Sequence, residues 1–97
     1  MKRYRVTFSE DAVTELTASL QWGIENWGED AAWRWYYSLR NQARQLLGAF
    51  PLIQPIAPDA EEYDVEVRHM IVGRYRILFN VQGETVTILH FRGPYSA

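Results

Sequence analysis

Ninety-seven residues, 47% of them hydrophobic and 23% charged, suffice for one domain around a single modest core and are too apolar and aromatic for a disordered chain. The absence of cysteine excludes a disulfide framework and a thiolate zinc site. The net charge of -2 hides an uneven distribution: Asp59, Glu61, Glu62, Asp64 and Glu66 crowd one stretch, whereas from Val67 onward four arginines and two histidines meet a single acid, Glu84.

In chain order, Arg3 to Phe8 alternates, with Tyr4, Val6 and Phe8 on one face, and predicts a half-buried strand. Ser9 offers an N-cap hydroxyl, followed by Glu10 and Asp11 where a helix dipole favours negative charge. The first helix is expected to run to about Trp27, with Val13, Leu16, Leu20, Ile24 and Trp27 as its core stripe, and to end at Gly28 in a left-handed conformation. Glu29 and Asp30 open a second helix at once, predicting an antiparallel hairpin. Its core stripe is Ala32, Tyr36, Leu39, Ala43, Leu47 and Phe50, flanked by Trp35 and Leu46, and Pro51 stops it near Ala49.

Residues 51–64 hold three prolines and four acids and read as a loop covering a sheet edge. Three strands follow: Val65 to Val72, Arg74 to Phe79 after Gly73, and Thr85 to Arg92 after the turn at residues 81–84. The expected architecture is α+β in the order β-α-α-β-β-β: a helix hairpin on one face of a mostly antiparallel four-stranded sheet, its other face open. Residues 1–97 form a single domain on this reading. No stretch approaches the ~18 apolar residues of a membrane span, and no apolar h-region follows the basic N-terminus, so the default expectation is a cytoplasmic protein without a membrane partner.

Several segments together resemble the RelE/ParE superfamily, the toxins of type II toxin–antitoxin modules. They are Tyr4-Arg5-Val6-Thr7-Phe8-Ser9 with Ala12, the Trp27-Gly28-Glu29-Asp30-Ala31-Ala32 junction, Phe50-Pro51, Val67-Arg68, the strand Val72 to Phe79, and Thr85 to His90. The long hairpin and the Trp27-Gly28-Glu29 junction tilt the resemblance toward ParE-like members. It implies a toxin neutralised by a cognate antitoxin, with DNA gyrase as the target. The alternatives it carries are a RelE-like, ribosome-dependent mRNA endoribonuclease and a degenerate, non-toxic member.

Cutting RNA without a metal needs a base, an acid and cations around the phosphorane. The resemblance puts Arg76, Arg92 and Tyr95 in those regions, and His90 has the chemistry of acid or base. Against an enzyme, Lys2 is the only lysine, so the active-site lysines of RelE have no counterpart, and the tail Phe91 to Ala97 lacks the basic Arg-His-Gly-Arg-like end of many members. The competing reading of His90 is a satisfied strand histidine; that of Arg68 and Arg76 is pairing with Glu66 or the acidic loop. A binding toxin instead uses Arg68, Arg74, Arg76 and Arg92 as its target face. On the helices Trp22, opposite the core stripe, and Trp33, Tyr37, Arg40 and Arg44 at helical spacing are candidates for a partner groove. The alternative is that they lap over the sheet or the loop. No metal-ligand spacing and no phosphate loop occurs, so no cofactor or metal is expected.

Overall fold

In the computed structural model, which describes residues 3–95, β1 spans Arg5–Phe8 and passes directly into α1, Glu10–Trp27; Lys2, Ser96 and Ala97 lie outside the described residues. Ser9 makes the junction. Its Oγ accepts from the Ala12 N–H at 3.0 Å and donates to the Leu89 carbonyl at 2.9 Å. One bond satisfies a donor that helix geometry orphans, and the other ties the helix start to the sheet.

The buried line of α1 is Ala12, Leu16, Ser19, Leu20 and Gly23. Leu16 and Leu20 are core as expected, but Val13 is 52% exposed and Trp27 lies at the surface. The buried stripe is rotated toward small residues, which allow α1 to approach α2 and β4 closely. Gly28 joins the helices at φ 91°, ψ 161°, and its N–H donates to the Ile24 carbonyl. The positive φ is what glycine supplies, although the extended ψ is not the left-handed helical cap expected.

Helix α2 spans Glu29–Ala49 and buries Ala32, Leu39, Ala43 and Leu47. Trp35 and Tyr36 pack against the core from its margin, whereas Leu46 and Phe50 are exposed. Phe50 leaves the helix at φ -136°, ψ 55°, and Pro51 starts a 3-10 turn there, so the periodicity that would carry Phe50 inward has already ended.

The remaining strands are β2 (Arg68–Val72), β3 (Tyr75–Gln82) and β4 (Thr85–Arg92), in the sheet order β1-β4-β3-β2. β1 runs parallel to β4, and the other two pairings are antiparallel. Both hairpins close through two residues with glycine first, at φ 58° for Gly73 and 59° for Gly83, where a side chain would be strained. Ile77, Phe79, Val86, Ile88 and Phe91 meet Leu16, Leu39 and Leu47 of the hairpin to form the main core.

β2 starts three residues later than expected. The chain before it is held by the loop instead: the Ala57 N–H donates to the Val67 carbonyl, and the His69 N–H to that of Pro55. The loop then does more than cover an edge. Ala57, Ala60 and Tyr63 pack with Val67, Leu78 and Leu89 in a second apolar cluster on the sheet face away from the helices. That face, expected to be open, is partly roofed, because Leu78 and Leu89 are apolar side chains whose burial is favourable. Leu89 is also the extra residue of a β-bulge: Leu78 pairs with His90 and Phe79 with Ile88.

Ser9→Ala is expected to lower the unfolding free energy by about 1–2 kcal/mol, since the helix loses its cap and the Leu89 carbonyl its donor. Urea denaturation monitored by circular dichroism measures it; an unchanged midpoint would show that both bonds are dispensable.

Candidate functional site

Alternation on β3 buries Tyr75 and Ile77 against the helices and turns Arg76 to the opposite face, where its cross-strand neighbour is Arg92. Two arginines directly opposed repel each other. The loop relieves this: Asp59 accepts from Arg76 Nη1 at 2.9 Å and Nη2 at 2.7 Å, a bidentate pair. His69 Nδ1 lies 3.4 Å from the same Nη1. The hydrogen bonds from Arg76 hold the Asp59 carboxyl at about 2, from an ordinary 3.8. Arg92 remains exposed beside this pair.

Arg68 is committed elsewhere. Its Nη1 donates to the Gln54 carbonyl at 2.6 Å, and its Nε lies 3.3 Å from Glu66 Oε1, close enough for ion pairing but without hydrogen-bond alignment. The residue fastens the start of β2 to the turn after α2. Arg74, in the β2–β3 turn, is exposed, with its guanidinium carbon 5.9 Å from the Tyr95 ring centre.

His90 sits where β1 has ended and β4 has a free edge. Its Nδ1 lies 3.1 and 3.2 Å from the two oxygens of Glu15, and Glu15 Oε1 also accepts from the Phe91 N–H at 3.1 Å. Tyr63 stands on the other side, 6.1 Å between ring centres. The imidazole is 17% exposed and enclosed by groups that serve the fold.

Tyr95 does not offer a free ring for stacking a base. It lies 4.8 Å from Trp22 in a stacked arrangement and 4.9 Å from Trp27 edge-on, with Trp35 and Tyr75 each at 5.9 Å. Trp22 is therefore half-buried in an aromatic cluster, not turned away from the core side of α1 as expected. Its position just past the buried line lets it reach over the end of the sheet, where the tail returns.

On α2, Trp33 and Tyr37 are exposed, 41% and 51%, and stack at 5.6 Å. Together with Asp30 and Arg34 they line a shallow surface concavity. Arg40 and Arg44 lie apart from that pair, over Phe8, with guanidinium carbons 5.6 and 5.1 Å from its ring centre. They cap the outer edge of β1, where Arg5 is also exposed, and none of the three has an acidic partner among the described residues.

The structure therefore brings Arg76 and Arg92 together and keeps Arg68, His90 and Tyr95 in separate settings within the fold, with the Arg68 Nε buried and left without a hydrogen bond. The reading of Arg76 as paired with the acidic loop is the one found, although it did not single out Asp59, and Glu15 was missed. The acidic run flags Asp59 only as one of five, and Glu15 reads as an ordinary solvated helix residue. Among the described residues no group of three or more His, Cys, Asp or Glu is placed to hold a metal ion, and no helix is long and apolar enough to cross a membrane.

No protein-family model matches the chain, and no curated protein sequence is significantly similar to it. The fold does have solved counterparts. It matches a chain of a chromosomal ParDE TA (toxin–antitoxin) system from P. aeruginosa with a TM-score of 0.77, covering 94% of this chain and 96% of that one at 17% identity. At that identity the likeness is one of fold, and it extends over almost the whole chain.

Two outcomes test the geometry. The folded chain keeps the Asp59 carboxylate charged where the unfolded chain protonates it. Its stabilisation is therefore fully present above about pH 4 and lost as the pH falls through about 2. Melting temperatures of wild type and Asp59→Asn should converge across that window, with the variant the less pH-dependent. Arg68→Glu should destabilise the fold by about 1–3 kcal/mol, since it leaves loop carbonyls without a donor beside Glu66; Arg92→Glu should leave the melting temperature nearly unchanged.

Proposed function

We propose that this chain is the toxin of a type II toxin–antitoxin pair, acting by seizing a macromolecular target and not by cleaving RNA, with DNA gyrase as that target and a cognate antitoxin as its neutralising partner. The observation that carries the reading is the fold shared along almost the whole chain with the ParDE TA system structure. The resemblance in the sequence points the same way, and supplies the gyrase assignment.

The choice of binding over hydrolysis rests on how the candidate catalytic groups are engaged. A general acid–base ribonuclease needs a proton-transfer group and cations converging on one phosphate. Here His90 is tied to Glu15, Arg76 to Asp59, and the Tyr95 ring is caged by tryptophans. What remains for a large partner is surface: exposed Arg74 and Arg92 at one end, and the Trp33–Tyr37 pair on α2. Guanidinium groups and large aromatics are the side chains that most often anchor protein interfaces. Trp33 and Tyr37 are proposed to meet the antitoxin, and Arg74 and Arg92 the target. Trp22 moves out of the first group, since its ring is stacked on Tyr95, and so do Arg40 and Arg44, which lie over Phe8 apart from the Trp33–Tyr37 pair.

Induction of the chain alone should arrest growth with an SOS response, and co-expression of the antitoxin should relieve it. His90→Ala should remain toxic. Arg92→Glu and Arg74→Glu should weaken target binding by about tenfold or more, with the wild-type affinity falling as salt rises. Trp33→Glu should cost about 2 kcal/mol or more of antitoxin affinity while the chain stays folded. Ribosome-dependent mRNA cleavage by the purified chain, lost on His90→Ala, would replace this reading with the nuclease.

A further inference from the structure

Beyond Arg92 the chain leaves the sheet, and residues 93–95 make no ladder with any strand. They are held mainly through Tyr95, by its ring and by its carbonyl. The Tyr95 ring enters a recess built by Trp22 and Trp27 of α1, Trp35 of α2 and Tyr75 of β3, with the Arg74 guanidinium at its rim. The Tyr95 carbonyl is met at the floor by Ser19 Oγ and by Tyr75 OH at 3.0 Å, while the two hydroxyls lie 2.6 Å from each other. Burial pushes the Tyr75 phenol up, so it stays protonated and able to donate.

Every wall of this recess comes from elements that are complete without residues 93–95. Its chemistry is specific: four aromatic surfaces for a flat ring, a cation over the ring's face, and paired hydroxyls spaced for one carbonyl. That combination reads a tyrosine within a peptide. A second restriction lies two residues upstream, where a Cβ on Gly93 would stand 2.6 Å from the Tyr75 ring. That ring is buried and its hydroxyl is fixed by Ser19, so the strap and not the ring would have to move. Pro94 limits the freedom of the strap before it docks, which lowers the entropy lost on seating. Gly93 and Pro94 themselves are exposed, so the segment lifts without breaking a strand pairing.

We propose that this recess is a binding site for a Gly-x-Tyr peptide, filled in cis by the chain's own C-terminal segment and able to take the same sequence in trans once that segment is removed. This goes beyond the toxin reading and does not depend on it. Closure in cis partly covers Trp22 and Trp35 and leaves Trp27 exposed at the edge of the recess; opening would present the three as one aromatic surface.

The test uses the full chain carrying Tyr95→Ala and reads tryptophan fluorescence. Emission should shift to longer wavelength relative to wild type. The free pentapeptide Gly-Pro-Tyr-Ser-Ala should reverse the shift saturably, with a Kd of ~0.1–1 mM for one ring and one carbonyl. Peptides with alanine in place of the glycine or of the tyrosine should not. Gly93→Ala, which leaves the ring intact, should produce a shift of the same kind. Unchanged emission in both variants, or no saturable response to the pentapeptide, would reduce the recess to ordinary core packing. Should Tyr95→Ala fail to fold, carboxypeptidase decides on the wild-type chain: trimming through Tyr95 faster than global unfolding supports a strap that opens, and protection until global unfolding overturns it. A wild-type dimer that the pentapeptide dissociates would seat the tail of a second copy in the recess and overturn the assignment in cis.

Discussion

The arrangement depends on what happens where β1 stops. β4 is eight residues long, but β1 pairs only with its first half, up to Ile88. The edge beyond would present unpaired main-chain groups, a cost that folded proteins rarely leave unmet. Ser9 and α1 meet it. The Ser9 N–H continues the ladder to the Ile88 carbonyl, Ser9 Oγ reaches the Leu89 carbonyl, and Glu15 takes the Phe91 N–H. Between those contacts the bulge at Leu89 re-aims the strand, so that Phe91 still points into the core and the tail leaves toward the helices. The helix is thereby fixed to the sheet in register, and His90, Arg92 and Tyr95 inherit their positions from it.

The same handover explains why polar residues that look catalytic in the sequence are so occupied. Glu15 holds the edge and the imidazole together; Asp59 relieves two arginines that the hairpin register sets opposite each other. Each pair satisfies a need created by the sheet itself, so its existence requires no substrate. Chemistry at such a site would first have to break contacts that support the fold. Exposed arginines and aromatics carry no such debt, and they lie at the periphery: the β2–β3 turn, the end of β4 and the outer face of α2.

Most of the fold was legible in local pattern. The alternation of Tyr4, Val6 and Phe8, the Ser9 cap, the glycine between the helices and the Gly73 and Gly83 turns each act within a few residues, and each is found where expected. Burial on α1 was misread because apolar size was taken as the guide. Beside Leu16 and Leu20 the inward positions are small, and Val13 stands outside while Ser19 stands inside. The open sheet face was misread for a different reason: the roof comes from a loop, whose path periodicity does not encode. The site was less legible still. Asp59 meets Arg76 across 17 residues and Glu15 meets His90 across 75, distances over which composition reports charge but not partner. Trp22 was the converse case. An aromatic off the core stripe looked like a partner contact, yet the chain's own tail is what covers it.

The outer edge of β1 has a consequence for how copies of this chain treat one another. A free edge strand is a template on which an identical strand can add, and the four-residue length of β1 already limits how much could be gained there. Here Arg40 and Arg44 stand over Phe8 on one side of that edge and Arg5 projects on the other, none of them in an ion pair among the described residues. Two copies meeting edge to edge would press their guanidinium groups together before any main-chain bond formed. Such an arrangement opposes edge-to-edge addition electrostatically, and the opposition weakens as ionic strength shortens the reach of the repulsion.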